Sequence, residues 1–448
     1  MAERNGENEG NTRHVGSLGG IKMSKNLEIG IAHAEPPTKY DDETTYKTAK
    51  NIVSQAIKQV KKPKFGVLFC SAKFNVKEIA RGAQESFKSI PWIGCTTAGE
   101  FTNERVTQGG CAVMVLGSDY IHVGIGVEAT VSKDPRTAGK KAVLQALRDV
   151  KLDQYIDPYV QYLTVKKKNP EELVRIRPYG IMTLMPGATM NNLGHEDEVL
   201  QGIIDIVGPD IPITGGSAGD DAQFKQTYQF VNGKTYTDAV ITIVYVSNLK
   251  IGYSIQHGYK PTGKIASVTE ADGKIVKTLN GKPAAEVYAE MLGVKIDELK
   301  KNIIPYIAKY PFGFPDIFGN FWVRNPQAVI ENNALLFFAP VPKNSILALM
   351  TGTDEDIIKA AEIAVKKEAE DGKIKKAGLG VVFGCAGRCY RLQNKIVDEW
   401  KLLKKTFGET PFIGFYTYAE HASLPYGGIG PNNQTLVSFM VGDELITQ

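Results

Sequence analysis

One short phrase occurs three times in this chain. Pro91-Trp92-Ile93-Gly94 runs into Cys95-Thr96-Thr97-Ala98-Gly99-Glu100, and Pro212-Ile213-Thr214-Gly215 into Gly216-Ser217-Ala218-Gly219-Asp220-Asp221. Pro411-Phe412-Ile413-Gly414 runs into Phe415-Tyr416-Thr417-Tyr418-Ala419-Glu420. Each copy places an acid six positions past its glycine: Glu100, Asp221 and Glu420. Before each phrase lies an apolar run opened by glycine: Gly66 to Cys70, Gly180 to Leu184, and Gly380 to Phe383. Short runs rich in β-branched and aromatic residues predict buried strands. Helical stretches such as Val76 to Phe87 and Cys389 to Phe407 separate run from phrase. A further strand follows each phrase, at Cys111 to Leu116, Ala239 to Val246 and Leu436 to Val441.

One more strand and helix stand upstream of each copy. They are Leu27 to Ala32 with Thr44 to Val60, Ile121 to Val127 with Thr137 to Val150, and Ile346 to Met350 with Asp354 to Glu370. Thr353-x-x-Asp356 has the form of a capping box for the last helix. Alternating strands and helices predict an α/β protein, and the closing strands add antiparallel character. The expected architecture is therefore mixed β-sheets flanked by helices, built from three β-α-β-α-β-β-like repeats in two domains. Residues 1–24 read as a disordered arm, 25–248 as a domain of two repeats, and 249–448 as a domain holding the third. Leu249 to Pro342 differs in texture, rich in turn signals, and reads as a hairpin-rich insert. In it, Asp272-Gly273 predicts a hairpin between Ile265 to Thr269 and Lys274 to Thr278. Pro283 to Leu292 predicts a short helix.

Composition narrows the function. A net charge of +4 over 448 residues gives no electrostatic case for nucleic acid. The cluster Lys166-Lys167-Lys168 falls in an insertion from about Lys151 to Pro178 and reads as a solvated face. No apolar stretch approaches the length needed to span a bilayer. The polar N-terminal residues have no hydrophobic region of a signal peptide. Five cysteines, three of them in or beside predicted strands, suit a reducing interior, and the expected compartment is the cytoplasm.

Familiar catalytic signatures are absent. Gly124-Ile-Gly126-Val-Glu-Ala129 matches a dinucleotide pattern, but Lys133, Asp134 and Pro135 separate it from the next helix, where the phosphates would have to meet backbone N–H groups. No nucleophile elbow or paired metal motif occurs. What remains is the three phrases. Their glycines permit close backbone approach, Thr96, Thr97, Ser217 and Thr417 offer hydroxyls, and the acids suit an ammonium or guanidinium group. Arg388, at the head of a helix, suits a ligand carboxylate. The alternative is structural: glycines allowing a tight turn, with acids that cap it or pair with internal arginines.

These residues resemble the FIST domain family. Gly94-Cys-Thr-Thr-Ala-Gly-Glu100 and Gly215-Gly-Ser-Ala-Gly-Asp220 look like signature loops of the FIST N-terminal domain. His257-Gly-Tyr259, Pro283-Ala284, Tyr310-Pro-Phe312, Trp322-Val-Arg324, Cys385-Ala-Gly-Arg388, Gly414-Phe-Tyr-Thr-Tyr418 with Glu420, and Asn433-x-Thr435 are similar to the FIST C-terminal domain. The resemblance implies a cytoplasmic sensory module for a small ligand, with amino acids proposed and haem suggested for some members. His257 and His421 would be the haem candidates. The ligand-binding set expected from phrases and resemblance together is Thr96, Thr97, Gly99, Glu100, Gly216, Ser217, Gly219, Asp220, Arg324, Arg388, Tyr416, Thr417 and Glu420. No kinase, methyl-acceptor, cyclase or F-box segment accompanies the two halves. A stand-alone sensor of this kind would signal through an unidentified partner or a homo-oligomer. An enzyme acting on a small acyl or amino metabolite, and a scaffold protein, are the competing readings.

Overall fold

The computed structural model describes residues 26–156, 179–190, 192–316, 319–423 and 429–446. The expected N-terminal arm, His14 and the Lys166–Lys168 cluster lie outside them.

Three six-stranded sheets share one strand order. In the first, Glu28–Ala34, Cys111–Gly117, Phe65–Ser71 and Trp92–Thr97 lie side by side. The second sets Ile121–Ala129, Ala239–Ser247, Tyr179–Met185 and Ile213–Ser217 in the same sequence. Leu249–Gln256, Leu436–Leu445, Ala377–Cys385 and Phe412–Thr417 make the third. In every sheet the last two of these strands pair parallel and the others antiparallel, giving the expected mixed α/β class.

The remaining two strands of each sheet are borrowed. Past Trp92–Thr97 the chain crosses to the third sheet, where Glu100–Thr102 pairs with Phe412–Thr417 and Val106–Thr107 adds an edge. The hairpin of Gln229–Val231 and Lys234–Tyr236 completes the first sheet, and Glu420–Ser423 with Ile429–Asn432 completes the second. The exchange closes in a ring: first sheet to third, third to second, second to first.

Inner faces of the three sheets share one apolar core, with Phe69 and Ile93 from the first, Leu184 and Ile241 from the second, and Phe383, Phe415 and Val437 from the third. Helix pairs cover the outer faces. Asp42–Ile57 and Val76–Phe87 pack on the first, Pro135–Asp149 and Glu196–Val207 on the second, Asp354–Asp371 and Ile396–Phe407 on the third. Local sequence places their starts. Asp41 caps by accepting from Thr44 N, and the Thr353–Asp356 capping box forms with both bonds at 3.1 Å.

Some expectations need correction. Ile346–Thr351 is not the upstream strand of the third sheet; it belongs to a separate eight-stranded sheet, and Leu249–Gln256 takes that upstream place. Alternation alone could not tell the two strands apart. The helix expected from Cys389 to Phe407 is broken into Ala386–Leu392 and Ile396–Phe407, because Gln393 turns to φ 48° between them. The hairpin at Asp272-Gly273 forms, with Lys260–Asp272 longer than expected. Gly124 and Gly126 stand mid-strand with Ala146 and Ala142 carbonyls pressed against them, so helix-on-sheet packing accounts for them.

Candidate functional site

Each borrowed arm leaves its own sheet through one of the repeated phrases, so the three phrases meet where the crossings meet. Their backbones bond to one another. Ala98 N donates to Tyr416 O at 2.9 Å and Tyr416 N to Gly99 O at 2.8 Å. Ser217 N donates to Ala419 O, Tyr418 N to Ser217 O, Gly219 N to Thr96 O and Asp221 N to Thr97 O. The glycines serve this contact. A Cβ on Gly219 would lie 2.7 Å from Ala98 N, one on Gly216 2.7 Å from Thr417 Oγ1, and Gly99 has φ +142°. Glycine is needed at such approaches because no side chain fits.

The hydroxyls and acids are engaged as well. Thr96 Oγ1 accepts from Tyr228 N at 3.0 Å, and Thr417 Oγ1 donates to Ser217 O at 2.6 Å. Glu100 accepts from Thr97 Oγ1, from Thr107 Oγ1 at 3.2 Å and from Gly110 N at 3.1 Å. Burial raises its carboxyl to about 8, a shift to which neighbouring Asp221 adds. Asp220 accepts from Phe224 N, Lys225 N and Gln226 N at 2.6–3.0 Å and from the Tyr418 hydroxyl. Asp221 instead accepts from Ser71 Oγ at 2.7 Å and Ala72 N at 3.1 Å. Glu420 takes Thr435 N and Oγ1 on one oxygen, and burial raises it too to about 8; its other oxygen, like Asp221 Oδ1, has no hydrogen-bond partner among the described residues. The loops thus gather, with Glu100 and Asp221 remaining neighbours while Asp220 and Glu420 turn to other partners.

Arg388 is fully buried and ion-paired with Glu399, and it donates further to Ile357 O at 2.7 Å and Gln434 O at 3.3 Å. The Tyr416 hydroxyl reaches toward the same Glu399 at 3.5 Å, with its ring against Phe101. This arginine sits in a structural network, the alternative that its residue type left open.

A further polar set lies beside the second sheet. Ser217 Oγ donates to Glu196 Oε1 at 2.9 Å and stands 3.1 Å from His421 Nε2, while His421 Nδ1 meets Thr183 Oγ1 at 2.9 Å. Burial lowers the His421 imidazole to about 3, so it is neutral. Glu196, Asp197 and Glu198 form the first turn of Glu196–Val207, where the helix dipole favours negative charge. Asp197 Oδ2 is shielded from solvent and has no hydrogen-bond partner among the described residues. Desolvation raises this carboxyl to about 7, opposed by the nearby Arg324 guanidinium. Arg324 comes from Phe321–Arg324 of the eight-stranded sheet, so the pair joins distant parts of the chain. Lys274 clamps the approach by donating to Leu193 O at 2.7 Å and Gly194 O at 3.0 Å. A crevice of about 10 Å³, bounded by Gly187, Asn192, His195 and Glu196, opens on the same helix start.

Arg324 and Ser217 were expected here; Glu196, Asp197 and Lys274 were missed. Three acids at a helix start after a strand were the available signal, and a dipole-favoured helix start explains them equally well. Haem does not fit its two candidates. His257 is bonded to Phe321 O and Tyr259 N, and His421 to Thr183 and Ser217, so neither has a nitrogen left for iron.

Comparison with known proteins places two domain matches along the chain. The FIST N domain matches residues 64–282 and the FIST C domain residues 284–423. The uncharacterized protein MJ1623 of Methanocaldococcus jannaschii is 28% identical over 308 residues, covering 66% of this chain and 55% of that protein. The chain therefore spans about half the length of that curated relative. Among solved structures, the cyanuic acid hydrolase from A. caulinodans aligns at 11% identity and TM-score 0.25, over 49% of this chain and 71% of its own, too weak a likeness to argue from. The two domain matches together take in most of the sequence: the chain belongs to the FIST family.

Proposed function

We propose that this protein is a cytoplasmic sensor of a small polar metabolite, such as an amino acid, bound between the start of Glu196–Val207 and Arg324. FIST domains are generally associated with sensory and signal-transduction ligand binding, which supports the class. The observation that carries the placement is Asp197 Oδ2, a shielded carboxylate oxygen lacking a donor, beside an arginine. An ammonium would supply that donor, and Arg324 would take a carboxylate in a charge-assisted bond. A zwitterion satisfies both.

The crevice has room for about one water and no metabolite. Binding would require Leu193 and Gly194, pinned by Lys274, to swing outward. That difference in affinity between a closed and an open state is how a ligand would signal. The readout would pass through a partner or an oligomer. No helix among the described residues is long and apolar enough to cross a membrane.

Thermal-shift screening against amino acids tests this. A ligand at a hundredfold its Kd adds about 2.7 kcal/mol of stability. Asp197→Asn and Arg324→Gln should each erase the shift. A flat response over a wide panel, or a shift that survives both variants, overturns the reading.

The Ser217–His421 pair favours a second reading, acyl transfer at Ser217. A serine hydroxyl 3.1 Å from an imidazole has the spacing of a nucleophile and its base. Against it, the hydroxyl is fully buried and the imidazole is weakly basic. Turnover of an activated ester that is lost in Ser217→Ala would establish this reading over the first.

A further inference from the structure

The helix pairs over the three sheets do not close equally. Over the first sheet, Gly82 lets Val76–Phe87 approach Asp42–Ile57 so closely that a Cβ there would lie 2.4 Å from Tyr46 O. Over the second, Gly139 and Gly202 do the same: their Cβ atoms would lie 2.2 Å from Val199 O and 2.0 Å from Arg136 O. The third pair, Asp354–Asp371 and Ile396–Phe407, has no glycine in either helix. Side chains hold these helices apart, and a groove of about 440 Å³ remains between them. That volume falls in the range of small-molecule sites.

The groove has an apolar floor and a cationic rim. Val365, Ala369 and Met440 line the bottom, and methionine adapts its shape to whatever it touches. Lys366, Lys375 and Lys405 stand around the edge, against one acid, Glu362, which is tied to Lys366 at 2.5 Å. Lys375 lies on the segment entering Ala377–Cys385 and Lys405 on the facing helix, so positive charge flanks the opening from two sides.

We propose that this groove binds a small amphipathic organic anion, its apolar body on Val365, Ala369 and Met440 and its carboxylate between Lys375 and Lys405. The site is independent of the one beside Asp197. Lysines near a helix end also answer the helix dipole, so the test separates anion binding from that role.

The probe is 1-anilinonaphthalene-8-sulfonate, an amphipathic anion whose fluorescence rises in apolar sites, titrated into the full chain and displaced with octanoate or 1-octanol. One site is expected, with octanoate displacing the probe at about tenfold lower concentration than octanol. Lys405→Glu should weaken octanoate about tenfold without altering the octanol result. Ala369→Trp, which fills the floor, should abolish both. Equal potency of octanoate and octanol overturns the proposal, as does unchanged octanoate binding in Lys405→Glu. Because Lys405 is exposed, that variant keeps its fold and decides the matter even if Ala369→Trp does not.

Discussion

The crossing loops and the Asp197 rim are built from similar residue types that are connected differently. At the crossing, Asp220 has four donors and both oxygens of Glu100 are engaged. At the rim, Asp197 keeps an oxygen with no donor among the described residues. An orphan oxygen alone does not separate the two, since Asp221 Oδ1 and Glu420 Oε1 at the crossing also lack a donor among the described residues; what sets Asp197 apart is its place beside a crevice, facing Arg324 from another sheet. Which groups a buried acid meets is decided by the fold, and composition cannot supply it.

The largest effect should come from Asp220→Ala. It leaves three backbone N–H groups and the Tyr418 hydroxyl without an acceptor, and urea unfolding should show a loss of about 3 kcal/mol or more. A loss within about 0.5 kcal/mol would break the contrast, since the crossing would then be no more committed to structure than the surface.

Glu100 sharpens it. Protonated, its Oε1 can donate to Thr97 Oγ1, which in turn donates to Cys70 O, while Oε2 still accepts from Thr107 and Gly110. Glutamine reproduces that pattern, so Glu100→Gln should fold with nearly native stability at pH 7. The folded carboxyl near 8 stands above its ordinary value of 4.5, so the folded state holds the proton longer than the unfolded. Stability from this group is complete below about pH 4.5 and is lost as pH rises toward 8. Melting temperature against pH should fall over that window in the parent and less steeply in Glu100→Gln. Parallel curves would remove Glu100 from the account.

Ser217→Ala deprives Glu196 and His421 of a shared hydroxyl, and calorimetry should record a loss of about 1–2 kcal/mol. The smallest effect belongs to the rim. Asp197→Asn should change stability by no more than about 0.5 kcal/mol while removing the ligand-induced shift. If it instead destabilised the chain as Asp220→Ala does, the rim would be one more structural network.

Much of the strand and helix pattern was legible in the sequence. Glycine-opened apolar runs marked the central strands, and Thr353-x-x-Asp356 marked a helix start that the structure bears out. The arms were not legible, because Glu100–Thr102 and Gln229–Val231 are short and their pairing is decided by strands hundreds of residues away or on another sheet. The same holds for the candidate site. Arg324 could be singled out, but its neighbour Asp197 is 127 positions earlier, and only folding sets the two side by side.

The ring of borrowed arms also dictates where this chain tolerates extra length. A residue added within Thr97–Glu100 or Thr417–Glu420 would shift the register of a borrowed strand in a different sheet, so a local insertion would do remote damage. One arm tip is freer. Asn232-Gly233, with φ of 48° and 82°, turns a hairpin whose second strand lies at the edge of its sheet, and a peptide tag inserted after Gly233, beyond the bonds of Asn232 to Trp92, would be carried without misaligning any sheet.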